Sequence, residues 1–194
     1  MIHICIAKYK EDISWCKNLN HPYTVYDKSK DIPNLGREAE TYLRYIVENY
    51  TKLPNYVVFI QGMPTDHLSE PTIAHLNKKI DLSRNTKIAL PLNKVILETS
   101  IPQHMKKTFV TLFDIPLPDI MVFTPGAQLI VPRECILCRP LEFYETIINV
   151  LRKVNNTTES SNNCLVCPWS LERMWLYIFD PSIASKQIKY EDLL

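Results

Sequence analysis

Apolar and polar positions fall in short blocks that switch period along the chain. Ile2 to Ala7 is a mostly apolar run that predicts a first strand, and Tyr23 to Tyr26 predicts a second, ending at "DKSKD". In "NLGREAETYLRYIVENY", Ala39, Tyr42, Leu43, Ile46, Val47 and Tyr50 recur at the spacing of an amphipathic helix, with Asn34 as its expected cap. Val57-Val58-Phe59-Ile60 is a buried-strand run that turns polar within one residue, at Gln61-Gly62. Strand, helix, strand is the order of a parallel sheet.

Farther along, "SEPTIAHLNKKI" predicts a helix opened by Ser69 with Pro71 in its first turn. Lys87 to Leu92, Phe109 to Phe113, Ile120 to Phe123 and Gln128 to Val131 read as strands between proline-rich turns. Helix returns at "PLEFYETIINVLRKV", where Leu141, Tyr144, Ile148 and Leu151 share a face, and at "SLERMWLYIF". "NNTTESSNN" between them is a low-complexity polar loop. The expectation is one α/β domain over residues 1–194, in three layers, with a mixed, mostly parallel central sheet flanked by helices.

Composition narrows the function classes. A hydrophobic share of 46%, a charged share of 22% and a net charge of +1 describe an ordinary globular chain without a broad grip on nucleic acid. No apolar run is long enough for a transmembrane helix, and "MIHICIAKYKED" lacks the basic start of a signal peptide, so the expected location is cytoplasmic. Cys135-x-x-Cys138 and Cys164-x-x-Cys167 have zinc-like spacing, but their apolar spacers favour reduced thiols. The three glycines, Gly36, Gly62 and Gly126, each border an apolar run, which favours a shared site at one sheet edge over three unrelated turns.

The chemistry expected at that edge is anionic. Strand one ends in Lys8, Tyr9, Lys10, Glu11 and Asp12, and strand two in Asp27 and Lys28. The helix start near Gly36, with Arg37 beside it, is suited to a diphosphate. Asp66 and His67, past the third strand, are the candidate ligands of a divalent ion, Mn2+ or Mg2+, bridging that diphosphate. Plainer readings stand beside these: Arg37 and Glu38 as solvated first-turn charges, His67 as a loop hydrogen-bonder, Asp66 as a turn former, and Trp15, Trp169 and Trp175 as core. No Walker loop, dinucleotide fingerprint, nucleophile elbow or H-E-x-x-H helix occurs.

The segments "IAKYKEDISW", "PNLGREAETYLRYIVENYTKLPNYVVFIQG", "GAQLIVPRE" and "ERMWLYIF" resemble a glycosyltransferase-like family of fungal, algal and viral proteins with a GT-A fold. The resemblance implies a sugar transfer from a nucleotide-diphosphate sugar, UDP-linked by preference, to a glycan or glycoprotein acceptor. It implies that Ala7, Lys8 and Tyr9 flank the base, that Asp27 approaches the uracil or ribose, and that Arg37, Gln61 and Gly62 border the donor. Gly126, Ala127 and Gln128 would line the acceptor side, Glu172 would be the catalytic carboxylate, and Arg173 would lie near it. The chain departs from the GT-A pattern where a D-x-D motif would sit: it reads Gln61-Gly62-Met63 and postpones its acid to Asp66. Two other classes stay open, a nucleotidyl or phosphoryl transfer enzyme and a non-catalytic nucleotide- or carbohydrate-binding module.

Overall fold

The computed structural model describes residues 1–30, 34, 36–154 and 168–180. Cys164, Cys167 and the polar loop "NNTTESSNN" lie outside the described residues. Three strands, β1 (Ile2–Lys8), β2 (Tyr23–Asp27) and β3 (Tyr56–Gln61), pair in parallel, with β1 in the middle. The two-residue β4 (Leu90–Pro91) and β7 (Leu129–Pro132) complete a five-stranded sheet in the order β2-β1-β3-β7-β4. β7 runs against both neighbours, so the sheet is mixed, with two parallel and two antiparallel pairings. A separate antiparallel ribbon joins β5 (Ile96–Glu98) to β6 (Met121–Phe123).

Strand alternation sends side chains to two cores. Ile2, Ile4 and Ile6 of β1, with Val58 and Ile60 of β3, pack on one face against helix α2 (Ile73–Leu82) and the 3-10 turn Ser14–Asn18. Cys5, Ala7, Val57 and Phe59 point the other way. There they meet α1 (Arg37–Asn49), α5 (Leu141–Val154) and α6 (Pro168–Phe179). This second core is the larger and is rich in rings: Phe59 stacks on Phe179, and Tyr42 lies between Phe59 and Trp175.

Several expectations shift. α1 begins after Gly36, which takes the N-cap position in the left-handed region, so Asn34 is not its cap. α2 starts four residues later than Ser69 implies, because Thr72 caps it by accepting the His75 N–H. Phe109 to Phe113 is not a strand but the end of α3 (Gln103–Phe113). Its β-branched run misleads because only one stripe, Met105, Thr108 and Phe109, is buried, while Val110 is exposed. The short α4 (Arg133–Leu137) carries Cys135. All four described cysteines are free thiols, and the Cys138 thiol donates to the Cys135 carbonyl.

Candidate functional site

The carboxyl ends of β1, β2 and β3 share one edge, as parallel pairing requires, and the chain turns into β7 at the same edge. Two places there have consecutive residues with positive φ. Gly36 (φ 68) and Arg37 (φ 51) open α1, and Gly126 (φ 74) and Ala127 (φ 50) lead into β7. A non-glycine residue in this region is unfavourable and persists only where the surroundings impose it. At Arg37 the cause is Lys28, whose buried ammonium donates to the Arg37 carbonyl and pairs with Glu40 at 3.4 Å. Burial pulls the Lys28 ammonium down to about 8, against the opposing pull of Glu40.

Arg37 is exposed, and its guanidinium pairs with no carboxylate among the described residues. It lies 4.9 Å over the ring of Trp169, which is 48% exposed rather than core. Trp175 is buried and Trp15 half-buried, with its indole N–H donating to the Gly62 carbonyl at 3.0 Å. A guanidinium held on a ring at the amino end of a helix, with no carboxylate partner among the described residues, is suited to receive an anion.

Gly126 is the hub of a second cluster, joined to the first through α6. Its N–H donates to Glu172 Oε1 at 2.7 Å. A Cβ there would collide with the Gln61 amide and come within 2.7 Å of the His67 ring. Gln61, His67, Gly126 and Glu172 are therefore brought together. Asp66 is exposed on the 3-10 turn Pro64–His67. Among the described residues no group of three or more His, Cys, Asp or Glu side chains could hold a metal ion. Two adjacent donors suit an ion that arrives with phosphates and waters completing its shell, as Mg2+ commonly does, and not a resident structural ion.

Other predicted residues serve the frame. Lys8 and Asp27 are partners in the β1–β2 register and form a 2.7 Å ion pair; Ser29 donates to the same carboxylate. Its two oxygens are thus already used. Lys8 and then Ser29 hold the Asp27 carboxyl down at about 2. Because the folded value lies below the unfolded one, this stabilisation is present above about pH 4 and lost as pH falls through about 2. Asp27→Asn is expected to lower stability at neutral pH, with the deficit shrinking over that acid window in denaturant titrations.

Gln128 does not reach an acceptor side: it is fully buried and donates to the Pro64 carbonyl and to Asn93, pinning the β3 loop to β7. Ala127 is also buried. Arg173 is engaged in a two-pronged pair with Glu98 (2.6 and 3.3 Å) and lies over Phe123, which fastens α6 to the β5–β6 ribbon. Ala7 is buried in β1, whereas Tyr9 beyond it presents an exposed ring. Gly62 lies under Glu11, whose carboxylate accepts the Tyr9 and Lys10 N–H groups.

Sequence reasoning undervalued Glu38 and Trp169. The Trp169, Glu172, Trp175 spacing of three marks one face of α6, and Glu38 and Tyr42 share a face of α1; both spacings are visible in the chain. Among the described residues no helix is long and apolar enough to cross a membrane. No curated protein and no solved structure matches the chain. Residues 4–98, which include β1 to β3 and α1, are similar to a family described as "Protein of unknown function (DUF3431)".

Proposed function

We propose that this protein is a glycosyltransferase that moves a sugar from a nucleotide-diphosphate sugar, preferentially UDP-linked, to a glycan or glycoprotein acceptor. The observation that carries the reading is Arg37, a cation with no carboxylate partner among the described residues, stacked on Trp169 at the amino end of α1, at the edge where three parallel strands end. Helix N–H groups and a guanidinium stabilise the charge that develops on a departing diphosphate. The exposed Tyr9 ring beyond β1 is available to flank a base, and the Gln61, Gly126 and Glu172 wall faces the transferred sugar. Side chains fixed on neighbouring elements in this way position an acceptor hydroxyl against the anomeric carbon.

The mixed sheet with β3 ending at Gln61 supports a GT-A reading, in which Gln61-Gly62-Met63 occupies the D-x-D position. Asp66 and His67 would hold Mn2+ or Mg2+, which when bound supplies positive charge to the leaving diphosphate. Screening nucleotide-sugars with and without Mn2+ by thermal unfolding, followed by a donor-hydrolysis assay, tests the proposal. A true donor at a hundred times its Kd adds roughly 2.7 kcal/mol of stability. If no nucleotide-sugar shifts the transition, the transferase reading fails; binding without turnover identifies a non-catalytic module instead.

Asp66→Asn tests the metal role. Asp66 is exposed and its side chain makes no hydrogen bond among the described residues, so the fold is expected to survive with stability within about 0.5 kcal/mol. The Mn2+-dependent part of donor binding is expected to disappear, read as equal donor Kd with and without the ion. Retention of normal metal dependence would leave Asp66 as a turn residue.

A further inference from the structure

Helices α1 and α6 lie side by side with their amino ends at the same sheet edge, and two contacts fix their alignment. Arg37 meets Trp169 at 4.9 Å, and farther along Tyr42 meets Trp175 with ring centres 5.7 Å apart. Between these rungs each helix carries one glutamate on the facing side. Glu38 is four residues before Tyr42, and Glu172 is three from both Trp169 and Trp175. Two carboxyl groups therefore occupy the rung between the two contacts.

The two groups have different surroundings. Glu172 is engaged at both oxygens, by the Gly126 N–H at 2.7 Å and by Arg173 at 3.7 Å. Glu38 forms no ion pair among the described residues and bonds only its own backbone N–H. Burial, and more weakly the neighbouring Glu172 charge, raise the Glu38 carboxyl above the ordinary glutamate range, against the bond from its own backbone N–H and smaller pulls from Arg37 and Lys28. Beneath them Tyr42 presents a fully buried hydroxyl with no hydrogen-bond partner among the described residues, within electrostatic reach of both acids. The remaining charges nearby are committed: Glu40 to Lys28 and Arg44, and Arg173 to Glu98. His67 stands beyond Gly126.

We propose that Glu38, not Glu172, is the carboxyl that takes the proton at this site, with Glu172 as its fixed, charged partner on Gly126. The proposal rests on the transferase reading and sharpens it to an inverting displacement. The acceptor oxygen bonds the anomeric carbon while the bond from that carbon to the diphosphate oxygen breaks. The diphosphate leaves with the electron pair, and the acceptor's hydroxyl proton passes to Glu38. Water in place of the acceptor gives donor hydrolysis by the same route.

The test uses the full chain and the nucleotide-sugar that gives the largest thermal shift. Glu38→Gln is expected to bind that donor with unchanged Kd while kcat for hydrolysis falls at least 100-fold, the scale of general-base catalysis. Glu38→Asp, which keeps a carboxyl, is expected to recover part of it. Wild-type kcat should rise with pH through the elevated Glu38 titration. Glu172→Gln should move that limb, and the Glu38 carbon resonance in a 13C titration, to lower pH, because a like charge has been removed. A Glu38→Gln protein that turns over donor at the wild-type rate overturns the proposal and leaves the transferase reading standing. So does a Glu38 titration that Glu172→Gln does not move. A wild-type chain that binds no nucleotide-sugar overturns both.

Discussion

Replacing Arg37 with alanine is expected to weaken binding of a nucleotide diphosphate by about 10- to 100-fold while leaving the protein folded. Hydrogen bonds to a charged group contribute roughly 1.5–3 kcal/mol, and each 1.4 kcal/mol is a factor of ten in Kd. Among the described residues the folded state loses only the contact with Trp169, worth about 0.5–1 kcal/mol at an exposed site, because no carboxylate there pairs with Arg37. Titration calorimetry with UDP, beside urea unfolding, separates the two effects. Arg37→Lys should recover only part of the affinity, since an ammonium offers charge without the planar fork that stacks and grips phosphate. Equal UDP affinity in all three proteins would remove the anion site from the amino end of α1.

Gly126→Ala is expected to be strongly destabilising for a single-methyl change. Positive φ costs an alanine roughly 1–2 kcal/mol. The added carbon also drives into the Gln61 amide and the His67 ring. Gln61 is the end of a flexible side chain and can move, but His67 is a ring on a short turn, and overpacking of this kind typically costs roughly 1–3 kcal/mol. The sum is a loss of about 2–5 kcal/mol, read as a lower urea midpoint with unchanged slope. Donor hydrolysis should fall more than the loss of folded protein explains, because the N–H that holds Glu172 shifts with the turn. An unchanged midpoint would mean that the turn relaxes and that its left-handed backbone is not required.

Much of the frame could be read from the chain because it depends on local periodicity. The β1 and β3 runs and the apolar stripes of α1 and α5 announce themselves, and Gly126 stands where a strand begins. The failures have physical causes. "FVTLF" carries strand-favouring residues but buries a helical stripe, and propensity yields to packing. Gln128 follows a glycine turn as an acceptor-side residue would, yet its amide is used inside, between Pro64 and Asn93. Glu38 and Trp169 were underrated because their roles exist only once α1 and α6 lie together, a tertiary fact that no window of sequence contains.

The Arg37–Trp169 contact also gives the protein its own optical probe. Trp175 is sealed in the core and Trp15 is tied to Gly62, whereas Trp169 stands half in solvent beneath a cation. An anion that draws Arg37 off the ring changes the polarity and quenching around one indole and leaves the other two nearly constant. The two partners lie far apart in the sequence, so the same emission change would report, during refolding, the moment at which α6 closes over α1.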